Sequence, residues 1–218
     1  MRLHIKCSKS DSIVDFNHQH LIAEAVHDWL KVEEKDAELA LYSFSMFTNG
    51  RGSNGALKFS HGTSFYISAH GNFMHQRIID GIEDDPELFA GISANEVKIV
   101  KEPDFSTQEI FQVASPIFIK RKIKNNIKHV TFKSEKAGVY LTETLKAKMK
   151  EVGMSDDTLE ISFVNNYQGA KEKLINYNGQ PHKASWCPVI IKGKVESKLF
   201  AWQVGLGDYT GFGFGALK

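Results

Sequence analysis

The sequence predicts an α+β protein made of two small units with antiparallel sheets. Three observations predict it. Strand-like and helical runs follow one another in mixed order, not in a strict strand–helix alternation. The pattern restarts near residue 113, so the 218 residues divide into 1–112 and 113–218, each of ordinary domain size. With 42% hydrophobic residues, 24% charged residues and fifteen Phe, the chain has apolar material for substantial cores.

Met1, Leu3, Ile5 and Cys7 alternate with Arg2, His4 and Lys6, as in a strand with one buried face. Asp15 to Lys31 reads as a helix, with Asp15 or Asn17 as its cap and Ile22, Val26, Trp29 and Leu30 as its apolar stripe. Leu41–Phe47 reads as a strand and Thr48–Gly55 as a loop rich in Gly, Ser and Asn. Leu57–Phe59 and Ser64–Ala69 are further strands. His75–Gly81 and Pro86–Gly91 read as helical, and Glu96–Ile99 begins another strand. The second unit opens on Val113–Ile119 and passes through a basic stretch, Lys120 to Lys136. It continues as a helix over Leu141–Val152 and as strands over Leu159–Val164, Val189–Lys194 and Lys198–Val204. No short-period repeat is visible.

Bulk properties exclude several classes. Net charge is only +1, so an anionic partner must be met by a local patch. Two cysteines, Cys7 and Cys187, lie far apart in apolar runs and read as core fillers in a reducing compartment. No stretch is apolar enough to span a membrane, and residues 1–7 do not form a signal peptide. A cytoplasmic protein with no membrane partner is expected. There is no G-x-S-x-G elbow, no Walker loop and no dinucleotide fingerprint.

Four constellations remain. His20, Glu24 and His27 are spaced i, i+4, i+7 and share one helix face. Two imidazoles on an exposed face suit general acid–base chemistry near neutral pH; solvated surface histidines are the plain alternative. No further ligands stand at zinc spacing, so no metal is expected. Lys120, Arg121, Lys122, Lys124 and Lys128, continuing through His129, Lys133 and Lys136, concentrate charge around Asn125 and Asn126. This is either a hairpin that clamps phosphate or a solvated lysine face. Lys183, Lys192, Lys194 and Lys198 form a second basic group. Finally, Gly205, Gly207, Gly211, Gly213 and Gly215 alternate with apolar residues. Such a segment either turns backbone N–H groups outward to hold an anion or packs the chain tightly as a glycine-kinked hairpin.

Gly205-Leu206-Gly207, five residues, then Gly213-Phe214-Gly215 resembles the C-terminal glycine-rich loop of the CRISPR-associated endoribonucleases that process repeat RNA, in the repeat-associated RNA-binding (RAMP) superfamily. Phe200–Val204 is similar to the strand before that loop. Asn17–Ile22 resembles the start of the family's first helix. Tyr42–Ser45, Lys58-Phe59 and Ser64–Ser68 resemble its next strands, and Ser115–Ile117 the start of its second domain. The resemblance spans nearly the whole chain in the expected order. It implies two tandem ferredoxin-like (RRM-like) domains and metal-independent cleavage within the CRISPR repeat of a precursor transcript, with no cofactor. The RNA supplies its 2′-hydroxyl as nucleophile and leaves a 2′,3′-cyclic phosphate and a 5′-hydroxyl.

One feature departs from the family pattern. The interval Val32–Ala40 is short, acidic and free of histidine, where many members place one. The position often held by a tyrosine in the first helix is His27. On this resemblance His27 and His20 move protons, Tyr42, Ser43 and Ser45 orient the phosphate, and Lys58 stabilises charge. Lys120, Arg121, Lys122, Lys124, Lys128, Lys192 and Lys194, with Gly205, Gly207, Gly213 and Gly215, grip the RNA. The alternative is a catalytically inactive repeat-RNA-binding subunit of a CRISPR effector complex, with other effector proteins as partners. A homodimer is carried as an open partner.

Overall fold

The computed structural model describes residues 1–33, 40–53, 55–124, 126–177 and 179–218, the side chains of Ser53 and Ile123 excepted. Residues 34–39 of the acidic interval, Asn54 of the expected loop and Asn125 of the basic stretch lie outside the described residues.

The first unit contains β1 (Arg2–Cys7), β2 (Val14–Asp15), α1 (Gln19–Leu30), β3 (Tyr42–Phe44), β4 (Arg51–Ser53), β5 (Ala56–Lys58), β6 (Thr63–Ala69), α2 (Asn72–Asp84) and β7 (Ala94–Val100). Its main sheet has the order β3-β6-β1-β7, all antiparallel. The alternation of β1 puts Leu3 and Ile5 in the core and His4 and Lys6 outside. α1 starts later than expected: the Asp15 carboxylate accepts the Asn17 backbone N–H at 2.7 Å, and His18 stands at the N-cap with its Nδ1 on Asp15 O and no side-chain capping bond to the helix. The helix lays Ile22, Ala23, Val26 and Leu30 on the sheet. Gly81 of α2 meets α1 so closely that a Cβ there would lie 2.5 Å from the Trp29 backbone. Pro86–Gly91 is not helical, because Ala90 (φ 54°) and Gly91 (φ 75°) turn the chain in the left-handed region. The expected loop 48–55 contains β4, which pairs with β5 beside β2 in a small second sheet.

The second unit contains β8 (Ile110–Phe111), β9 (Lys120–Ile123), β10 (Asn126–His129), α3 (Ala137–Glu151), β11 (Glu160–Phe163), β12 (Lys171–Tyr177), β13 (Gln180–Trp186), β14 (Val189–Lys192) and α4 (Val195–Val204). β11, β14 and β8 form its sheet in that order. Residues 216–218 return beside 112–114, with the Ala114 N–H on Ala216 O at 2.7 Å and the Lys218 N–H on Gln112 O at 2.8 Å. Counted within each unit, both sheets therefore run 2-3-1-4, the order of a ferredoxin-like fold. Ile110–Phe111, which the 1–112 division places in the first unit, pair with β14 of the second sheet.

Two sequence readings are corrected here. Lys198–Val204 is helix, not strand. Ser197, Lys198, Phe200, Ala201, Trp202, Gln203 and Val204 are all buried, so α4 has no polar face to reveal a helical period. The hairpin of β12 and β13 is not among the expected strands, although the sequence Asn178-Gly179 is a strong hairpin-turn dipeptide. Both cysteines are buried and unpaired.

Arg2 ties the units together. Its buried guanidinium lies 3.8 Å from the Tyr66 ring and 3.8 Å from the Trp202 ring. Nε donates to Ser68 Oγ at 2.7 Å, and Nη2 donates to Leu217 O at 2.5 Å. These partners come from β6, α4 and the C-terminal strand. All are uncharged, and burial lowers the Arg2 pKa to about 10.

Candidate nucleic-acid interface

The glycine segment is the seam of the molecule. From Gly205 to Leu217 nearly every residue is buried. Its close packing explains the glycines. A Cβ at Gly207 would collide with Phe118 O, one at Gly213 would lie 2.6 Å from the Phe44 ring, and one at Gly215 would collide with Leu206 O. At Gly205, Gly213 and Gly215 the outward-facing cradle, one of the two readings of this segment, is not formed. The Gly205 N–H donates to Ala201 O, the Gly213 N–H to Thr210 O and the Gly215 N–H to Pro116 O. Those amides are committed inside the protein, and the tight-packing reading is the correct one there.

The same seam covers the expected catalytic helix face. His27 is only 8% exposed, and its Nε2 lies 2.8 Å from Gly211 O. Its ring stands edge-on to Tyr42 and Phe212, with centroids 6.5 and 5.6 Å away. An exposed His27 is therefore corrected to a buried one. The Tyr42 hydroxyl is buried without a hydrogen-bond partner, and desolvation raises its pKa. Ser43 is fully buried, with Oγ donating to Gln203 O at 3.3 Å. Ser45 Oγ donates to Met46 O. Lys58 is exposed in the small β2–β5–β4 sheet. The fold thus brings His27 and Tyr42 together but seals them from solvent.

His20 belongs to a different grouping. It is half-buried, its Nδ1 has no hydrogen-bond partner, and its ring lies 6.2 Å from Tyr177. Tyr177 is 6.4 Å from His182, and His182 is 5.8 Å from His129, the two imidazoles parallel within 7°. Phe118 supports both, 4.9 Å from each ring. Tyr209 of the glycine segment stacks on Phe118 at 5.4 Å and lies 5.8 Å from His182. Lys120 Nζ sits 4.1 Å above the Tyr209 ring and donates to its hydroxyl at 2.8 Å. Two hairpins build this row: β10 lies against β13, and the Lys183 N–H reaches His129 Nδ1 at 3.2 Å. Reading charge runs and helix faces missed it, because His129 and His182 stand on separate hairpins.

The β9–β10 hairpin carries the row outward. In its register Lys120 faces His129 and Lys122 faces Ile127, so all four share one face. Lys122, Lys124 and Lys128 are exposed, and Ile127 is 69% exposed. Arg121 is committed elsewhere, to Asp208 Oδ2 at 3.1 Å, Tyr140 O at 2.8 Å and Thr144 Oγ1 at 2.7 Å, and anchors the hairpin to α3 and the glycine segment. Lys192 lines a groove between α3 and β11, while the Lys194 backbone N–H donates to Asp156 Oδ2 and its Nζ to Ser155 O. Among the described residues no group of three or more His, Cys, Asp or Glu converges to hold a metal ion, and no helix is long and apolar enough to cross a membrane.

Two ferredoxin-like units closed over a glycine-rich segment define the architecture of the RAMP proteins. The family model described as CRISPR associated protein Cas6, C-terminal, matches residues 100–218, more than half of the chain, and the chain belongs to that family. Its fold is that of three solved structures, each 20% identical and each matched over 100% of this chain. One is described as a CRISPR associated protein Cas6 (TM-score 0.82, 98% of that chain). The second is the product of a Cas6-related gene from Pyrococcus furiosus (TM-score 0.85, 97%). The third is a RAMP protein binding different RNA substrates (TM-score 0.84, 98%). No curated protein sequence matches the chain.

Proposed function

We propose that this protein binds CRISPR repeat RNA along the row from Lys122 to His20 and cleaves it within the repeat. The observation that carries this reading is the continuity of the exposed basic hairpin with the histidine and aromatic row. Lysines at the outer end suit phosphates, while the exposed His129 ring and the half-buried rings of His182, Tyr209 and His20 suit unpaired bases, which RNA-binding proteins hold by stacking. A chain of net charge +1 has no general pull on RNA, so this local arrangement must supply it. Membership of the Cas6 family supports the same substrate.

The cleavage step needs no metal in principle, because RNA brings its own nucleophile. A base takes the 2′-hydroxyl proton, the 2′-oxygen attacks phosphorus, and the bond to the 5′-oxygen breaks. The products are a 2′,3′-cyclic phosphate and a 5′-hydroxyl. A second reading, RNA binding without cleavage, is favoured by one observation: His27, Tyr42 and Ser43 are sealed beneath the glycine segment.

Incubation with repeat RNA in EDTA, beside the same RNA carrying one 2′-deoxy sugar at the cut site, separates these. Cleavage of the all-ribose strand alone supports the endoribonuclease. Binding of both strands with cleavage of neither supports the binding subunit. Failure to bind at low salt overturns both.

A further inference from the structure

The geometry points to His182, assisted by His129 and Lys120, as the proton-transfer group for RNA cleavage on this surface. The inference rests on the RNA-cleaving reading above and names the residues that would carry it.

Hydrogen bonding sets the two imidazoles in opposite tautomers. His182 Nδ1 lies 2.8 Å from Gln180 O. Only an N–H can satisfy a carbonyl, so Nδ1 carries the hydrogen and the neutral ring keeps its lone pair at Nε2. His129 Nδ1 accepts the Lys183 backbone N–H. That nitrogen is bare, so Nε2 carries the hydrogen. The pair thus offers one proton acceptor and one N–H donor on parallel rings 5.8 Å apart. His182 can gain a proton at Nε2 and keep its bond to Gln180. His129 cannot become an imidazolium without giving up Lys183 N–H, and burial together with the charge of His182 lowers its pKa.

Rigid supports fix the geometry. Phe118 packs edge-on to both rings, and Tyr209 closes the inner side. The Lys120 ammonium, held on Tyr209, supplies positive charge beside the pair.

In the step assigned here, His182 Nε2 takes the 2′-hydroxyl proton as the 2′-oxygen bonds to phosphorus. The P–O5′ bond breaks, and the 5′-oxygen takes a proton from water. The hydroxide so formed recovers the proton from His182. His129 Nε2–H and Lys120 hold the phosphoryl oxygens as their charge grows. Atoms and protons balance, and water is the one co-reactant.

Single-turnover cleavage of repeat RNA in EDTA tests the assignment, with RNA affinity measured on the same samples by gel shift. At protein concentrations that saturate the RNA in the gel shift, His182→Ala is expected to slow cleavage by about 10²–10⁴-fold, with partial rescue by added imidazole. His182→Gln preserves bulk against Phe118 and is expected to lose cleavage equally without rescue. If the parent cleaves and both variants stay within threefold of it, the inference is overturned while the endoribonuclease reading stands. A parent that binds but never cleaves also overturns it and leaves an RNA-binding protein. A parent that does not bind RNA overturns the proposed function itself.

Discussion

Replacing Lys148 with methionine should stabilise the protein at neutral pH and flatten its response to alkali. Lys148 projects from α3 beneath the glycine segment and is 1% exposed. Its Nζ donates to Thr210 Oγ1 at 2.7 Å and to Val204 O at 3.4 Å. Burial lowers its pKa from 10.5 to about 7, against an opposing pull from Asp208. In the unfolded chain it keeps the ordinary value of about 10.4. Between these limits the unfolded state holds a proton that the folded state lacks. Stability therefore rises with pH across the window from 7 to 10 and falls as pH drops through it. The work against ionisation is roughly 4 kcal/mol at pH 7, and roughly 2 kcal/mol of it is relieved by pH 9. Methionine fills similar volume and cannot ionise, but it forfeits two hydrogen bonds of about 1 kcal/mol each. The expected net gain at pH 7 is therefore about 2 kcal/mol, shrinking to near zero at pH 9. Burial raises the pKa of Tyr66 and of Cys7 to about 12; each lowers stability as pH rises past its unfolded value of about 10 or about 8.5, but equally in both proteins, so the difference between them isolates Lys148. Urea unfolding at pH 7, 8 and 9 measures the difference. Parallel pH slopes, or a variant less stable at pH 7, would refute the reasoning.

Three further outcomes are expected. Gly81→Ala improves helix propensity yet should lower stability by about 2 kcal/mol, because α1 and α2 must separate; an unchanged melting temperature contradicts that contact. His27→Ala should cost about 2–4 kcal/mol by opening a cavity and leaving Gly211 O unpaired; calorimetry showing no loss removes the anchor role. Lys122→Ala should weaken RNA binding and lower the slope of log affinity against log salt by about 1; an unaltered slope between low and moderate salt takes Lys122 off the RNA.

What could be read from the chain depended on which faces meet water. β1 was legible because His4 and Lys6 stay outside while Leu3 and Ile5 go in. α4 was not, because the first sheet covers one side of it and α3 another, leaving no polar stripe. The basic hairpin was visible as charge around Asn125 and Asn126, since its lysines remain exposed. His27 misled for a different reason. Its helix spacing is that of an accessible group, but its cover is supplied by Gly211, 184 residues away in sequence. The pairing of His129 with His182 is likewise a product of two hairpins meeting, which no local pattern encodes. The glycines announced close approach correctly. What approaches them is the protein's own backbone and rings, above all Phe118 O at Gly207 and Leu206 O at Gly215.

The Arg2 clamp has a consequence for how a ligand is met. With its guanidinium wedged between Tyr66 and Trp202 and bonded to Ser68 Oγ and Leu217 O, the two sheets cannot hinge without breaking those hydrogen bonds and ring contacts together. The docking platform is therefore preassembled. Encounter should be a bimolecular event with a single kinetic phase, and its heat-capacity signature should report surface occlusion rather than interdomain closure.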